Sequence, residues 1–421
     1  MTRVLLSFAA ILLGTHAVRA DDSLTLDQAI NLALSRNERS QISDLQVEQA
    51  DAAVSRARTA FLPVLNASGN DTYRPRDDPK NTASGTLQLQ QPIIAPSAFP
   101  LLSQAKHQLE AQKYDTVEAK RTLAFDVAKA YFNVLLAQEV MEAAQKKLDT
   151  ATADVADTEA QFKAQLVSSN DVTRAKISLS TSVRQLAEDR SSLDAAYIQL
   201  GFVINAPPPK NLVKPTATLD AGKGAQPTAD KLVDQSLAGR PDLRAAKESA
   251  LAAHDFAKEP RYRLIPSLAF VGQLTASSNA GAQGHDVDGS LALTAQWQIF
   301  DAGVRYADAR SRDAAAKIAD LDSQALVRSI DADVRTAATQ LVAAQGALQA
   351  AEDAATSARK SADETAILYH QGLAKAIELV DANEERFEAE VSRAEAEFSV
   401  ATQYLALRQA MGLGPLEEAK K

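Results

Sequence analysis

The pattern of apolar and polar positions predicts long helices interrupted by two pairs of short strands. Residues 101–200 contain neither glycine nor proline, the two strongest helix breakers. We predict a helical hairpin here, with a first arm over residues 97–163 and a second arm that begins at Asp171. At about 1.5 Å per residue, the first arm would be a rod of roughly 100 Å. The uncharged segment 165–170 marks the reversal, and its small polar residues can cap the second helix.

Four segments alternate with a period of two, which predicts strands that each have one apolar and one polar face. The first covers residues 65–73, and a charged, proline-containing loop at 74–83 follows it. The second alternates around Leu87 and Leu89 and is expected to stop at Pro92. The third covers residues 267–274, and the fourth covers 290–300 with the clearest alternation in the chain.

The same series of elements occurs twice. A helical pattern over residues 24–60 precedes the first strand pair, and residues 34–63 match 237–266 without a gap, since 237 − 34 and 266 − 63 both equal 203. The hairpin recurs as well, for example at Gln138 and Gln345. Between the copies, the prolines and glycines of residues 205–228 predict an extended linker.

We therefore divide the chain into five segments. Residues 1–20 are read as a secretory signal, because Arg3 precedes an apolar core that is too short to cross about 30 Å of hydrocarbon. The first repeat covers 21–204, the linker 205–228, the second repeat 229–414 and a C-terminal tail 415–421. After residue 20, the sequence offers no uncharged run long enough for a transmembrane helix.

Composition excludes several classes of function. The 421 residues include no cysteine, one tryptophan and 5% aromatic residues, which favours alanine-rich helices over several tightly packed cores. A net charge of -9 and a pI near 5.3 make nucleic acid an unexpected partner, because no excess of Lys and Arg is available for phosphates. The histidines are scattered without ligand spacing and no nucleophile or phosphate motif occurs, so we expect no enzyme activity, no metal site and no cofactor.

The length and number of the strands indicate that several copies of the chain assemble. Each is long enough to cross a bilayer when tilted, but four strands cannot close a barrel, and an open edge is not tolerated in lipid. The chain would therefore pool strands with copies of itself, two copies giving eight strands and three giving twelve. A small soluble sheet packed on a helix is the alternative that alternation alone allows.

Three segments resemble the TolC-like outer-membrane efflux and secretion channel family: Leu-Thr-Leu-Asp-Gln-Ala at 24–29, Gly-Arg-Pro-Asp-Leu at 239–243, and Trp-Gln-Ile-Phe-Asp-Ala-Gly at 297–303. The likeness extends over nearly all of the chain after residue 20. It implies a mainly α fold with a β-barrel portion, in which a homotrimer forms a twelve-stranded outer-membrane barrel continued by a tunnel of twelve helical columns through the periplasm. The linker and the tail would form a belt around this tunnel.

The function that this resemblance implies is a passive exit duct for a tripartite efflux or type I secretion system. Its partners would be an inner-membrane pump, a periplasmic adaptor protein and outer-membrane lipid. The alternative is an interaction protein, either a periplasmic coiled-coil scaffold or the adaptor itself. An adaptor would show a single helical hairpin between β-rich halves, whereas here two hairpins alternate with two strand pairs.

The resemblance also implies site residues at the hairpin ends. Residues 369–381 are similar to the family's gate segment, which places Tyr369 at the gate tyrosine, and Glu378 and Asp381 at the acidic constriction. Three-fold symmetry would concentrate these carboxylates around the pore, and such a ring favours cations; ordinary solvated charge near a helix start is the alternative. Ala374 stands where the best-known members carry a gate arginine, with Lys375 beside it. The hairpin ends would dock the adaptor or pump through Leu166, Val167, Ser168, Gly372, Leu373 and Ala374.

Overall fold

The computed structural model of the chain describes residues 23–76, 81–278 and 286–416. The predicted signal at 1–20 lies outside these residues, as does most of the predicted tail at 415–421. The elements in chain order are α1 Leu26–Arg36, α2 Glu38–Thr59, β1 Val64–Tyr73, β2 Asn81–Ile94, α3 Ala98–Lys163, α4 Ser169–Ile204, α5 Thr216–Gly224, α6 Ala229–Gly239, α7 Pro241–Tyr262, β3 Ser267–Ser277, β4 Val287–Gln296, α8 Val304–His370 and α9 Ala376–Ala410. The chain is thus mostly helical with one small sheet, and none of the helices described is both long and apolar enough to cross a membrane.

The first helical hairpin is confirmed almost to the residue. α3 ends at Lys163, and Gln165 adopts a left-handed φ of 61° in the turn. α4 begins at Ser169, two residues before the predicted start, because Ser168 and Asp171 form a reciprocal capping box. The side chain of each residue accepts a hydrogen bond from the backbone N–H of the other, and this satisfies two donors that the first helical turn leaves open.

The predicted continuous helix over 24–60 is wrong in one respect. It is divided into α1 and α2 at Asn37, whose backbone is extended and whose side-chain oxygen accepts a hydrogen bond from the N–H of Arg39 at 2.9 Å. Asparagine competes for backbone hydrogen bonds in this way and therefore favours a cap over a helix interior. The corresponding break in the second half lies at Arg240, between α6 and α7.

The four strands form one antiparallel sheet in the order β1-β2-β3-β4. The register pairs Leu65 with Leu89, Leu87 with Leu274, and Gly272 with Leu291, so the apolar sides of all four strands lie on one face. The opposite face carries mainly polar residues from every strand, including Asn66, Ser68, Thr86, Gln88, Gln273 and Ser290.

Several predicted strand ends are wrong, most clearly both ends of β2 and the end of β4. β2 begins at Asn81, inside the predicted loop, and continues through Pro92 to Ile94, with a register shift between Pro92 and Ile94. Proline lacks the N–H that a regular ladder needs, and an irregularity of this kind accommodates it. β4 ends at Gln296 rather than at Phe300. The indole N–H of Trp297 donates to the Leu264 carbonyl at 3.0 Å, which takes the chain out of the sheet.

The predicted linker 205–228 is also not wholly extended, since it contains α5. Its flanks are fixed by side chains at equivalent positions of the two long helices. The Gln138 amide donates to the Lys210 carbonyl at 3.3 Å, and the Gln345 amide donates to the carbonyls of Gly222 and Ala225 at 2.8 and 2.9 Å. These bonds pair backbone carbonyls that have no hydrogen-bond partner within a helix or strand, and they therefore help to fix the conformation of the linker.

The chain forms two compact units. The first, which we call the hairpin unit, consists of Met1–Ala33, Val127–Asp220 and Ala351–Phe398. The second, which we call the sheet unit, consists of Leu34–Asp126, Ala221–Ala350 and Ser399–Lys421. In the hairpin unit the Tyr131 hydroxyl lies 2.7 Å from the carbonyl oxygens of both Leu24 and Val213, and burial raises the pKa of Tyr131 to about 12. In the sheet unit, Val233, Leu243, Ile330 and Val334 form a buried cluster.

Candidate functional site

The ends of the two hairpins form the candidate site in the hairpin unit. We call residues 164–168 the first tip and residues 371–375 the second tip. Both tips reverse the chain with the same pair of backbone hydrogen bonds. In the first tip, the N–H groups of Leu166 and Gln165 donate to the carbonyls of Gln161 and Phe162, respectively. In the second, the N–H groups of Leu373 and Gly372 donate to the carbonyls of Leu368 and Tyr369, respectively. This is the pattern of a Schellman turn, which needs a left-handed residue after the helix.

The left-handed position is filled differently in the two tips. Gly372 adopts a φ of 73° at no steric cost, whereas Gln165 adopts 61° with a side chain. The turn places Leu166 and Leu373 in equivalent positions, where their side chains are 75% and 73% exposed.

Lys375, Glu378 and Asp381, which belong to the predicted gate segment, are all exposed near the start of α9. A carboxylate oxygen of Glu378 accepts a hydrogen bond from the backbone N–H of Lys375 at 3.2 Å. In the first tip, a carboxylate oxygen of Asp171 likewise accepts a hydrogen bond from the backbone N–H of Ser168, at 2.9 Å. Glu378 therefore caps α9, and its negative charge also suits the positive end of the helix dipole.

Tyr369 lies apart from these exposed groups. Its side chain is only 4% exposed and packs against Ala376 and Leu379. The Tyr369 hydroxyl lies 3.1 Å from the Thr158 hydroxyl on α3. The structure thus brings Tyr369 together with α3 of the other hairpin, and not with the carboxylates of Glu378 and Asp381.

A group of polar contacts between the two hairpins was not predicted from the sequence. The Lys147 ammonium lies 2.6 Å from a carboxylate oxygen of Glu384, and the Asn383 amide donates to Asp154 at 3.1 Å. Burial raises the pKa of Asp154, and the hydrogen bond from Asn383 acts in the opposite direction. Charged residues on long helices are usually solvated, so the sequence carried no signal that these would be paired between hairpins.

Among the described residues, no cluster of three or more histidine and carboxylate side chains could hold a metal ion. Both turns carry an exposed leucine, and exposed carboxylates follow the second turn at the start of α9.

Comparison with known proteins identifies the architecture. A family model described as outer membrane efflux protein matches residues 29–206 and 232–413. Outer membrane protein TolC of Vibrio cholerae is 23% identical across 98% of this chain and 96% of its own length. TolC of Escherichia coli is 24% identical across 85% of this chain and 76% of its own length. The solved open state of the Neisseria gonorrhoeae MtrE outer membrane channel superposes with a TM-score of 0.79 at 22% identity, over 94% of this chain and 91% of that one.

Proposed function

Because this chain belongs to the outer membrane efflux protein family and is an outer-membrane protein, we propose that it is the passive exit duct of a tripartite efflux or type I secretion system. The family resemblance seen in the sequence is confirmed. In the proposed assembly, three copies form a twelve-stranded barrel and a tunnel of twelve helical columns. An inner-membrane pump supplies energy, and a periplasmic adaptor bridges the pump to the hairpin tips.

The observation that carries this proposal is the sheet of the sheet unit. Its apolar face is continuous across four strands, and the side chains of Leu291, Leu293 and Leu65 on it are 79%, 64% and 63% exposed. A soluble protein rarely exposes an apolar surface of this kind, whereas lipid requires it. The polar opposite face suits the wall of a water-filled lumen.

The two outer strands of this sheet require further strands. Among the described strands, β1 and β4 each pair on one side only. Unpaired N–H and C=O groups are not tolerated in the hydrocarbon core, so the sheet must close with strands from other copies. In a ring of copies, β4 of one would pair with β1 of the next, and their antiparallel directions are compatible because directions alternate from β1 to β4.

Exposed aromatic and apolar residues near the helix-proximal ends of the strands support placement in a bilayer. Trp297 and Phe300 follow β4 and are 59% and 83% exposed, and Phe99 follows β2 and is 58% exposed. Large aromatic rings favour the boundary between lipid and water, where barrels carry aromatic girdles.

The matched lengths of the elements support two tandem repeats at 21–204 and 229–414. α2 and α7 both have 22 residues, α3 and α8 have 66 and 67, and α4 and α9 have 36 and 35. Both repeats would then contribute equal strands and equal columns to the assembly. The periplasmic gate would be formed by Tyr369, Glu378, Asp381 and Lys375, and the tips would dock the adaptor or pump.

Membrane fractionation, gel migration with and without heating, and planar-bilayer recordings test the proposed function together. We expect the mature protein in the outer-membrane fraction as a heat-modifiable trimer that forms ion-conducting channels. A monomeric protein in the soluble periplasmic fraction, without conductance, would overturn the proposal and would favour the scaffold or adaptor alternative.

A further inference from the structure

Four connections between helices and strands lie at one end of the sheet. β1 and β3 run away from this end and β2 and β4 return to it, because neighbouring strands are antiparallel. The Gln91 amide donates to the Phe61 carbonyl at 3.0 Å, and the ring centroids of Phe61 and Phe99 lie 5.0 Å apart, so these connections pack together. The connections and the two nearest turns of each helix comprise residues 53–63, 95–104, 256–266 and 297–310, which we call the junction.

The junction is positively charged in a chain that is negatively charged as a whole. It contains seven lysine and arginine residues and three carboxylates, a net charge of +4, whereas the complete chain has a net charge of -9. Two of the three carboxylates, Glu259 and Asp301, are each only 6% exposed. Glu259 lies 2.7 Å from Arg263 and 2.5 Å from Arg312, and Asp301 lies 2.9 Å from Arg305. The excess of positive charge is therefore carried by arginines at the surface.

Three exposed arginines account for most of this excess. Arg58 and Arg261 are the second-to-last residues of α2 and α7, and Arg310 lies in the second turn of α8. Arg58 and Arg261 are 203 residues apart, the spacing at which the two halves of the chain match, so each half contributes one of them. Arg261 is 67% exposed and lies 3.2 Å from Asp313, whereas Arg58 and Arg310 form no ion pair with a described residue.

The helix dipole accounts for only part of this pattern. A cation near the C-terminus of a helix is stabilised by the dipole, which explains basic residues at Arg58 and Arg261. Arg310 instead lies near the N-terminus of α8, where the dipole does not stabilise a cation. Arg310 follows Tyr306 by four residues and so lies on the same face of α8, and Tyr306 is 67% exposed. An exposed arginine beside an exposed tyrosine is typical of the boundary between lipid and water.

The depth of the junction in a membrane follows from the lengths of the strands. β1 and β4 have ten residues each, the number that crosses about 30 Å of hydrocarbon when a strand is tilted. The helices then begin where the hydrocarbon ends, in a layer of headgroups about 5 to 8 Å thick. Arg310 lies roughly 9 Å along the helix from the first residue of α8, and its long side chain can extend back to this layer. Arg58 and Arg261 lie closer to the strands.

We propose that Arg58, Arg261 and Arg310, which we call the collar, bind the phosphate groups of anionic phospholipids in the leaflet that faces the periplasm. This inference rests on the proposed function, because it takes the sheet as part of a barrel and the helices as lying in the periplasm. A guanidinium group presents donors that match two phosphate oxygens, and an anionic surface attracts clustered arginines. Three copies would surround the duct with three collars, so anionic lipid would be enriched there.

The single tryptophan of the chain can report on this lipid layer. Trp297 lies in the junction, is 59% exposed, and is held by the hydrogen bond from its indole N–H to the Leu264 carbonyl at 3.0 Å. The protein is refolded into phosphatidylcholine vesicles that contain increasing fractions of brominated phosphatidylglycerol or brominated phosphatidylcholine. Quenching of Trp297 fluorescence then gives the relative affinity for each lipid. We expect the wild type to favour phosphatidylglycerol several-fold at low ionic strength, and less as sodium chloride is added.

Removal and retention of charge test the collar. Arg58→Gln, Arg261→Gln and Arg310→Gln, combined in one protein, should abolish the preference for phosphatidylglycerol and leave quenching by brominated phosphatidylcholine unchanged. Lysine at the same three positions keeps the charge and should keep most of the preference, which a role in packing alone would not predict.

The matched control is Arg328→Gln, compared with Arg310→Gln alone. Arg328 is also exposed on α8 and lies roughly 27 Å along the helix beyond Arg310. We expect Arg310→Gln to lower the preference for phosphatidylglycerol and Arg328→Gln to leave it at the wild-type value. Each variant is first shown to migrate as a heat-modifiable trimer.

The possible results separate the collar from the duct. Equal quenching of the wild type by the two lipids, or a preference that survives in the triple glutamine variant, refutes the collar while the duct stands. If the triple glutamine variant forms no trimer in either kind of vesicle, the arginines act in folding or between copies, and the assignment to lipid is overturned. If neither brominated lipid quenches Trp297 in the wild-type trimer, the junction does not meet the bilayer, and the placement of the sheet in lipid fails with it.

Discussion

Leu291→Arg provides the most direct test of which face of the sheet meets lipid. Leu291 is the fifth residue of the ten-residue strand β4, pairs with Gly272 and is 79% exposed. A position midway along a spanning strand lies near the middle of the bilayer. Arginine there costs about 2 to 4 kcal/mol in each copy. At about 1.4 kcal/mol per tenfold, insertion should be disfavoured by roughly 30-fold to 700-fold per copy.

The neighbouring position supplies the control. Ser290 pairs with Gln273 on the polar face, so Ser290→Arg would place the same charge toward the proposed lumen. The two variants have equal net charge and neighbouring positions in the sequence, and they differ in the face that carries the arginine. We expect Ser290→Arg to assemble normally and to alter conductance, because a lumen substitution tunes selectivity.

The assay is refolding of purified protein into lipid vesicles, followed by gel migration with and without heating. We expect Leu291→Arg to yield much less heat-modifiable trimer than the wild type and Ser290→Arg to match it. Equal yields for both variants, or a defect confined to Ser290→Arg, would refute the assignment of the apolar face to lipid.

Three further predictions concern the hairpin unit. Glu378→Ala with Asp381→Ala should reduce cation selectivity and block by multivalent cations in single-channel recordings, and unchanged values would contradict an acidic entrance. Burial raises the pKa of Asp154 above its ordinary 3.8, so the carboxyl group binds a proton more tightly in the folded state than in the unfolded state. The contribution of Asp154 to the free energy of unfolding should therefore rise as pH falls through the raised pKa. Asp154→Asn keeps an acceptor for the Asn383 amide but cannot titrate, so we expect it to abolish this rise. If thermal unfolding of the variant has the same pH dependence as that of the wild type, the prediction is refuted. Tyr131→Phe deprives two backbone carbonyls of a hydroxyl and should lower the free energy of unfolding by about 1 to 3 kcal/mol in denaturant titrations, and an unchanged value would count against this role.

The sequence predicted the elements well where one physical signal dominated. The absence of breakers from residues 101–200 indicated both arms of the first hairpin, and α3 ends at the predicted Lys163. Alternation placed the apolar residues of all four strands on one side, as the register confirms. Boundaries failed where a local side-chain contact decided the outcome, as with the cap at Asn37 and the Trp297 indole.

The contacts between hairpins could not be predicted from the same patterns. Lys147 stands in a charged helical stretch, and nothing in its neighbours distinguishes it from the exposed lysines nearby. Its burial depends on which face of α3 meets α9, and that is a property of packing between distant segments. Tertiary contacts of this kind decide which of many similar charges are paired and desolvated.

The two tips combine one backbone geometry with different side-chain chemistry, and this difference explains why they should have separate functions. Phe162 and Tyr369 occupy equivalent positions before the turn, yet Phe162 is 46% exposed and Tyr369 only 4%. A hydroxyl allows Tyr369 to contact Thr158 within the helix packing, and phenylalanine has no group for such a bond. An exposed aromatic ring thus precedes the first tip, close to Leu166, and would suit the proposed partner surface. Before the second tip the ring is buried, and exposed carboxylates follow it at the start of α9, which would suit the proposed entrance that discriminates by charge.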